Sequence, residues 1–146
     1  MDNPYANSDI SIPESFRENL EGYVQRREGG RATPLNQPFQ RNVDIWFFAL
    51  MLAVKKGLKP DYPTGKYYKA AEGVVLGSDS WRPDAMTLLA IAESGDPRIV
   101  ERPNEMMKIA SGYANAGFPL LFSMLNSRGE DTPLDHLCEE IEGMVR

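Results

Sequence analysis

Apolar residues are most concentrated between Asn42 and Gly57, where they occupy nearly every side of a predicted helix. Asn42 is a good N-cap for this helix, and Gly57 is a good residue to end it. One stripe with i, i+3, i+4 and i+7 spacing comprises Val43, Trp46, Phe47, Leu50, Met51 and Val54. A helix that is apolar nearly all round is normally buried, so the pattern predicts a central core helix.

Further helices are predicted from apolar spacing and capping residues over 13–27, from Asp79 or Ser80 to Gly95, from Pro103 onward, and from Pro133 to the end of the chain. Around "GYANAGF" (112–118) two interpretations stay open. Either one kinked helix continues through this stretch, or one helix ends at Gly117 and another begins at Pro119.

These elements predict an all-α fold, a compact bundle of five or six short helices. One small hairpin near 66–77 stays open as an addition, because this stretch contains segments that suit extended backbone. Residues 1–10 are polar and contain Pro4, so we expect a mobile N-terminal tail. The remaining residues, 11–146, are expected to form a single helical domain.

The apolar stretch of the central helix is too short to cross a membrane. Between Val43 and Val54 there are twelve residues, with Asp44 among them, whereas a spanning helix needs about 20 apolar residues. The first 15 residues lack the basic and apolar regions of a secretory signal. The single cysteine, Cys138, excludes an intramolecular disulfide and fits a reducing cytosol. We therefore expect a cytoplasmic protein without membrane contact.

Charge is distributed unevenly along the chain, whose formal net charge is −5. The segment 26–69 has nine basic and three acidic residues, a net charge of +6, whereas 81–146 has a net charge of −5. This asymmetry predicts that the first segment binds DNA or an acidic partner, with ordinary solvated surface as the alternative. The candidate residues are Arg26, Arg27, Arg31, Arg41, Lys55, Lys56, Lys59, Lys66 and Lys69.

The last predicted helix combines an apolar side with an acidic one. Its apolar stripe is Leu134, Leu137, Cys138, Ile141 and Val145. On the side away from Leu137 and Ile141 lie Glu139, Glu140 and Glu142, which we predict to bind a second protein. A solvated helix face is the alternative interpretation.

No catalytic arrangement is predicted. His136 is the only histidine, and Cys138, two residues away on the same helix, points about 200° away from it. Metal-binding motifs are absent from the sequence. Asp131, Asp135 and Glu139 could hold magnesium, but acids near a helix N-terminus are also expected from the helix dipole. We therefore expect no metal and no cofactor.

Four segments in order, "PFQRNVDIWFFALMLAVKKG", "DAMTLLAIAES", "MMKIASGYANAGFPLL" and "PLDHLCEEI", carry a family resemblance. The chain resembles a small helical domain of proteins associated with Dnd DNA-phosphorothioation and related phage-defence systems, from Pro38 to Ile141. The matching positions are mainly packing and capping residues: Phe39, Asp44, Gly57, Ala90, Ile91, Ala92, Tyr113, Ala114, Asn115 and Gly117.

The resemblance implies association with a DNA-modification or defence machine, and it carries no catalytic residues. We therefore expect a non-enzymatic accessory subunit or adaptor that binds protein subunits of such an assembly, with DNA as a further candidate partner. Two alternatives stay open: a stand-alone DNA-binding regulator, and a small enzyme with a carboxylate-bound metal.

Overall fold

The computed structural model describes residues 3–25, 35–127 and 129–145. These residues contain two strands and five α-helices: β1 (Asp9–Pro13), α1 (Arg17–Gly22), α2 (Asn42–Lys55), β2 (Tyr67–Glu72), α3 (Trp81–Ser94), α4 (Pro103–Asn126) and α5 (Pro133–Val145). Three short 3₁₀ segments connect them, Glu14–Phe16, Gly73–Ser78 and Pro97–Glu101. The fold is therefore mainly α, with one small sheet, rather than all-α. None of the helices in the described residues has the length and apolar character needed to cross a bilayer.

The centre of the fold is the contact between α2 and α4. Trp46 and Ala49 of α2 have no exposed surface, and Leu50 is also buried. The helix begins one residue earlier than predicted: Arg41 is the N-cap, and its N–H donates to the Asp44 carboxylate at 3.0 Å. Because these residues line the interior, the prediction of a core helix is confirmed.

The two strands pair antiparallel and join distant parts of the chain. Ile12 lies opposite Tyr68, and Ile10 lies opposite Ala71, with an irregularity between Ile10 and Ser11. Both isoleucines are fully buried, whereas Asp9 faces solvent. A strand does form in the range suggested for a hairpin, but its partner is β1, and residues 73–78 are 3₁₀ helix.

The described part of the predicted N-terminal tail is packed on the core. Tyr5 has no exposed surface, and its hydroxyl lies 2.9 Å from Thr87 Oγ1 and 3.7 Å from Met106 Sδ. The Asn3 amide donates to the Gly73 carbonyl at 2.9 Å. Residues 3–10 are therefore packed against the core through Tyr5 and Asn3, although they were predicted to form a tail, and their mobility stays a prediction.

The predicted helix boundaries agree with the structure better for α3 and α4 than for α1. The α3 helix ends at Gly95, which has φ +70°, as predicted. The α4 helix runs through Pro119 without a break, so the continuous-helix interpretation is the one observed. The first helix is shorter than predicted, because 11–13 belong to β1 and Val24 forms a bridge with Phe39.

Candidate partner-binding surface

The C-terminal half of α2 is less covered than its N-terminal half. Val43 and Phe47 are buried, whereas Met51 and Val54, on the same side of the helix, are 44% and 43% exposed. Trp81 packs edge-on against Phe47 with 5.2 Å between ring centroids. The core helix therefore presents two apolar side chains to solvent in its last two turns.

A tight turn places three lysines beside these apolar side chains. Gly57 has φ +67° and donates its N–H to the Val54 carbonyl at 3.1 Å, while the Leu58 N–H donates to Ala53 at 2.9 Å. These two bonds form a Schellman motif, which ends the helix and turns the chain. Around this turn lie Lys55, Lys56 and Lys59.

All three lysines are exposed, and none forms an ion pair with a residue that the structure describes. Lysines at a helix C-terminus interact favourably with the helix dipole, which gives them a structural role as well. Among the described residues, no acidic side chain matches their charges. We call the set Met51, Val54, Lys55, Lys56 and Lys59 the basic–apolar surface.

Arg41, also predicted to bind a partner, is engaged within the chain. Its guanidinium donates to Asp44 through Nε at 3.3 Å and Nη2 at 3.2 Å, and to Ser78 Oγ through Nη1 at 3.4 Å. Arg82 donates to the same carboxylate at 3.0 Å, and its guanidinium lies 5.1 Å from the Phe47 ring centroid. This cluster fixes the start of α2 against the start of α3.

Burial alone would raise the pKa of Asp44, but the hydrogen bonds from Arg41 and Arg82 outweigh it and lower that pKa. Asp44 is therefore charged at neutral pH and matches part of the positive charge of both arginines. Asp44 is one of the residues that carry the family resemblance, and these contacts give it a structural role.

The remaining predicted basic residues lie elsewhere. Lys69 Nζ is 3.4 Å from an Asp9 carboxylate oxygen and 3.3 Å from one of Glu72, so its charge is matched within the sheet. Lys66 is exposed just before β2, and its carbonyl accepts the Glu14 N–H at 2.8 Å. Three others, Arg26, Arg27 and Arg31, lie outside the described residues. The structure thus groups Lys55, Lys56 and Lys59 at one turn, and the binding role of all nine residues stays a prediction.

The apolar side of α5 is also largely uncovered. Of its predicted stripe only Leu137 is buried, while Ile141 is 36% exposed and Val145 is 77% exposed. Cys138 is exposed as well. The acidic residues predicted to bind a protein, Glu139, Glu140 and Glu142, are all exposed. We call the set Cys138, Glu139, Ile141, Glu142 and Val145 the acidic–apolar surface.

The carboxylates considered for magnesium are only partly brought together. Asp135 is engaged at the N-terminus of α5. Its N–H donates to Thr132 Oγ1 at 3.3 Å, and its carboxylate accepts the Thr132 hydroxyl at 2.9 Å. Ligand-type atoms of Asp131, His136 and Glu139 instead lie within 4.8 Å of one another. Both acids are exposed, and Asp131 lies just before α5, where the helix dipole favours a carboxylate without a metal.

A groove beside α4 was missed by sequence reasoning. It has a volume of about 480 Å³ and lies between the segment around Tyr62 and the start of α4. Lys108 Nζ lies 5.5 Å from the Tyr62 ring centroid, while Arg102 pairs with both Asp96 and Glu105 at 3.2 Å. No local signal could have found it, because its walls come from three separate segments. Its charges largely neutralise one another, so it favours no ligand charge.

The "GYANAG" positions of the resemblance act in packing. The Asn115 side chain donates to the Asp61 carbonyl at 3.1 Å, and the Asp61 N–H donates to the Gly112 carbonyl at 2.9 Å. The Tyr113 hydroxyl lies 2.6 Å from a Glu93 carboxylate oxygen. These contacts hold the 58–65 segment and α3 on α4, and none of them forms a catalytic arrangement.

The chain matches no protein-family model, and neither a curated protein nor a solved structure was found to be similar to it. The resemblance to Dnd-associated proteins therefore stays a prediction.

Proposed function

We propose that this chain is a non-enzymatic accessory subunit that works in the cytoplasm within a DNA-modification or phage-defence assembly. In this role its basic–apolar surface binds an acidic protein subunit. One observation carries the proposal: the central core helix ends in two partly exposed apolar side chains, next to a turn with three exposed lysines that form no ion pair with a described residue. The assembly itself is suggested by the family resemblance alone.

The chemistry of the surface favours a protein over DNA. Contacts of Met51 and Val54 with DNA phosphates would stabilise a complex little. Protein interfaces, in contrast, combine an apolar centre with a polar rim. DNA interfaces are strongly positive, and this chain has a net charge of −5. Four aromatic side chains lie among the basic residues of 26–69: Phe39 is buried, Tyr68 is half-buried, and Tyr62 and Tyr67 are exposed. Lys108 lies over the Tyr62 ring, and the Tyr67 hydroxyl donates to the Pro63 carbonyl at 2.7 Å, so both exposed rings already have contacts within the chain.

The two kinds of residue have different roles in such an interface. Full burial of an apolar side chain stabilises by about 1.5–3 kcal/mol, and Met51 and Val54 are already half covered, so each would contribute about 1 kcal/mol. The lysines lie at the rim, where charge mainly raises the association rate and makes binding sensitive to salt. We therefore expect partner binding to weaken as salt is added.

The test is affinity purification of the tagged protein from its native host after nuclease treatment, with mass spectrometry of the recovered proteins. The variant K55E/K56E/K59E is compared with R98E, which reverses an exposed basic residue outside the predicted binding set. We expect stoichiometric recovery of an acidic subunit with the wild type and R98E, and its loss with the triple variant.

Equal recovery with the triple variant would contradict the proposal. Loss of the partner upon nuclease treatment would favour a DNA-bridged association instead. A stand-alone DNA-binding regulator predicts a third result: the purified chain alone binds DNA, with an affinity that falls steeply with salt.

A further inference from the structure

The helix α5 is an amphipathic element whose apolar side is only partly covered by the described residues. Within its 13 residues, only Pro133 and Leu137 are buried, although the stripe continues through Ile141 to Val145. A helix of this length is marginal in water unless its apolar face is packed. The exposed residues Cys138, Ile141, Glu142 and Val145 have i, i+3, i+4 and i+7 spacing, so they form one continuous face.

This face complements the basic–apolar surface at the end of α2. Each combines apolar side chains at helical spacing with flanking charges of one sign, glutamates on α5 and lysines on α2. Neither the lysines nor Glu139 and Glu142 form ion pairs with described residues. Each surface therefore offers charges of the sign that the other needs, together with apolar side chains that the other could cover.

Both surfaces are exposed in the same folded chain, so they do not cover each other within it. Both helices are held by α4, which packs against α2 and α5. A second copy of the chain brings each surface its complement. We infer that the acidic–apolar surface of one copy binds the basic–apolar surface of another.

This inference rests on the proposed function in one respect, because it also uses the α2 surface as a protein-binding surface. The contact joins two different patches. Two copies can form it twice in a closed symmetric dimer, or each copy can bind the next head to tail in an open chain. The few apolar side chains involved predict a weak contact that is sensitive to salt.

Sedimentation velocity of the purified full chain under reducing conditions tests this inference, over a range of protein concentrations at low and at high salt. We expect the mean mass of the wild type to rise with concentration at low salt and to return to that of the monomer at high salt. The variants K55E/K59E and E139K/E142K should each remain monomeric. The matched controls E18K and R98E alter exposed charges outside both surfaces and should associate like the wild type.

The decisive step mixes the two double variants. One then carries acidic charge on both surfaces and the other basic charge on both, so we expect the mixture to regain association that neither variant shows alone. A variant damaged in its fold would not be rescued in this way. Circular dichroism of each variant checks the helix content independently.

Three results would overturn the inference: a monomeric wild type at every concentration, association that survives either charge reversal, or a mixture that stays monomeric. The proposed function has a separate readout. If the wild type is monomeric but K55E/K56E/K59E still loses its host partner, the proposed function stands without the self-contact. If self-association occurs but no acidic subunit is recovered, the self-contact stands without the assembly.

Discussion

Gly117 of α4 lies directly against the backbone of Ala49 in α2. A β-carbon built on Gly117 would be 1.9 Å from the Ala49 carbonyl oxygen, much closer than any real contact. The obstacle is backbone rather than a flexible side chain, so it cannot move aside cheaply. The close packing of the two central helices therefore requires glycine at this position.

We expect Gly117→Ala to reduce the free energy of unfolding by about 2–3 kcal/mol, because the added methyl group pushes the two helices apart. Gly143→Ala is the matched control, since a β-carbon at Gly143 meets nothing within 4 Å. Alanine in a helix interior is favoured over glycine by roughly 0.5–1 kcal/mol, so the control should be slightly stabilised. Urea unfolding measures both changes, and similar values for the two variants would contradict the helix contact.

The uncovered end of α2 gives a second prediction, from two neighbouring residues. Leu50 is 2% exposed and Met51 is 44% exposed. We expect Leu50→Ala to lose about 2–5 kcal/mol of stability, because it leaves a cavity in the core. Met51→Ala should lose less than about 1 kcal/mol by the same urea measurement. A large loss for Met51→Ala would mean that this side chain packs in the core and is not available to a partner.

A third prediction concerns acid stability. The pKa of Asp44 is lowered in the folded state, so its contribution to stability is present above the unfolded pKa near 3.8 and is lost as the pH falls through the folded pKa. Asp44→Asn should therefore destabilise the protein at neutral pH, by about 1–3 kcal/mol, since it removes the shorter of the two ion pairs of Arg82, at 3.0 Å, and leaves the one with Asp79 at 3.7 Å. The difference from the wild type should begin to shrink below about pH 4, where the carboxyl of the unfolded chain becomes protonated, and should disappear as the pH falls through the lowered pKa of the folded state.

Thermal unfolding of both proteins between pH 3 and 7 measures this effect. Glu18→Gln removes an exposed carboxylate that forms no ion pair with a described residue, and the stability curve of this variant should follow that of the wild type throughout. A pH-independent difference for Asp44→Asn would show that packing, rather than charge, accounts for the loss.

Alkaline titration gives a fourth prediction, for Tyr113. Burial and the hydrogen bond with Glu93 raise the pKa of Tyr113 to about 12. The neutral phenol is favoured in the folded state, so this contribution to stability is present below pH 10 and is lost as the pH rises through about 12. Tyr113→Phe should remove one late-ionising group from the phenolate absorbance curve and lower stability at neutral pH by about 0.5–1.5 kcal/mol. Removal of an early-ionising group instead would contradict the buried contact.

The sequence was sufficient to predict the elements whose structure depends on local signals. Gly57 and Gly95 both lie at the predicted helix ends with positive φ, because only glycine adopts that conformation without strain. The apolar density of α2 likewise identified the core helix. The sheet was missed because β1 and β2 are far apart in the chain, and the short alternation of Ile10 and Ile12 is a weak signal.

The candidate surface was predictable only in part. Lys55, Lys56 and Lys59 are close in sequence, and a single turn keeps them together. Periodicity alone could not distinguish Phe47 from Val54, because both belong to the same stripe and differ only in what covers them. Likewise, the pairing of Lys69 with Asp9 depends on the strand register, which the sequence did not reveal.

The anchoring of Tyr5 has a consequence for folding during synthesis. The hydroxyl of Tyr5 contacts Met106, a residue 101 positions later in the chain, and β1 must wait for β2 before it can pair. On the ribosome, residues 5–12 are therefore without these neighbours until α4 has begun to leave the exit tunnel. Closing so large a loop slows folding, and during that interval Ile10 and Ile12 are open to chaperones and proteases.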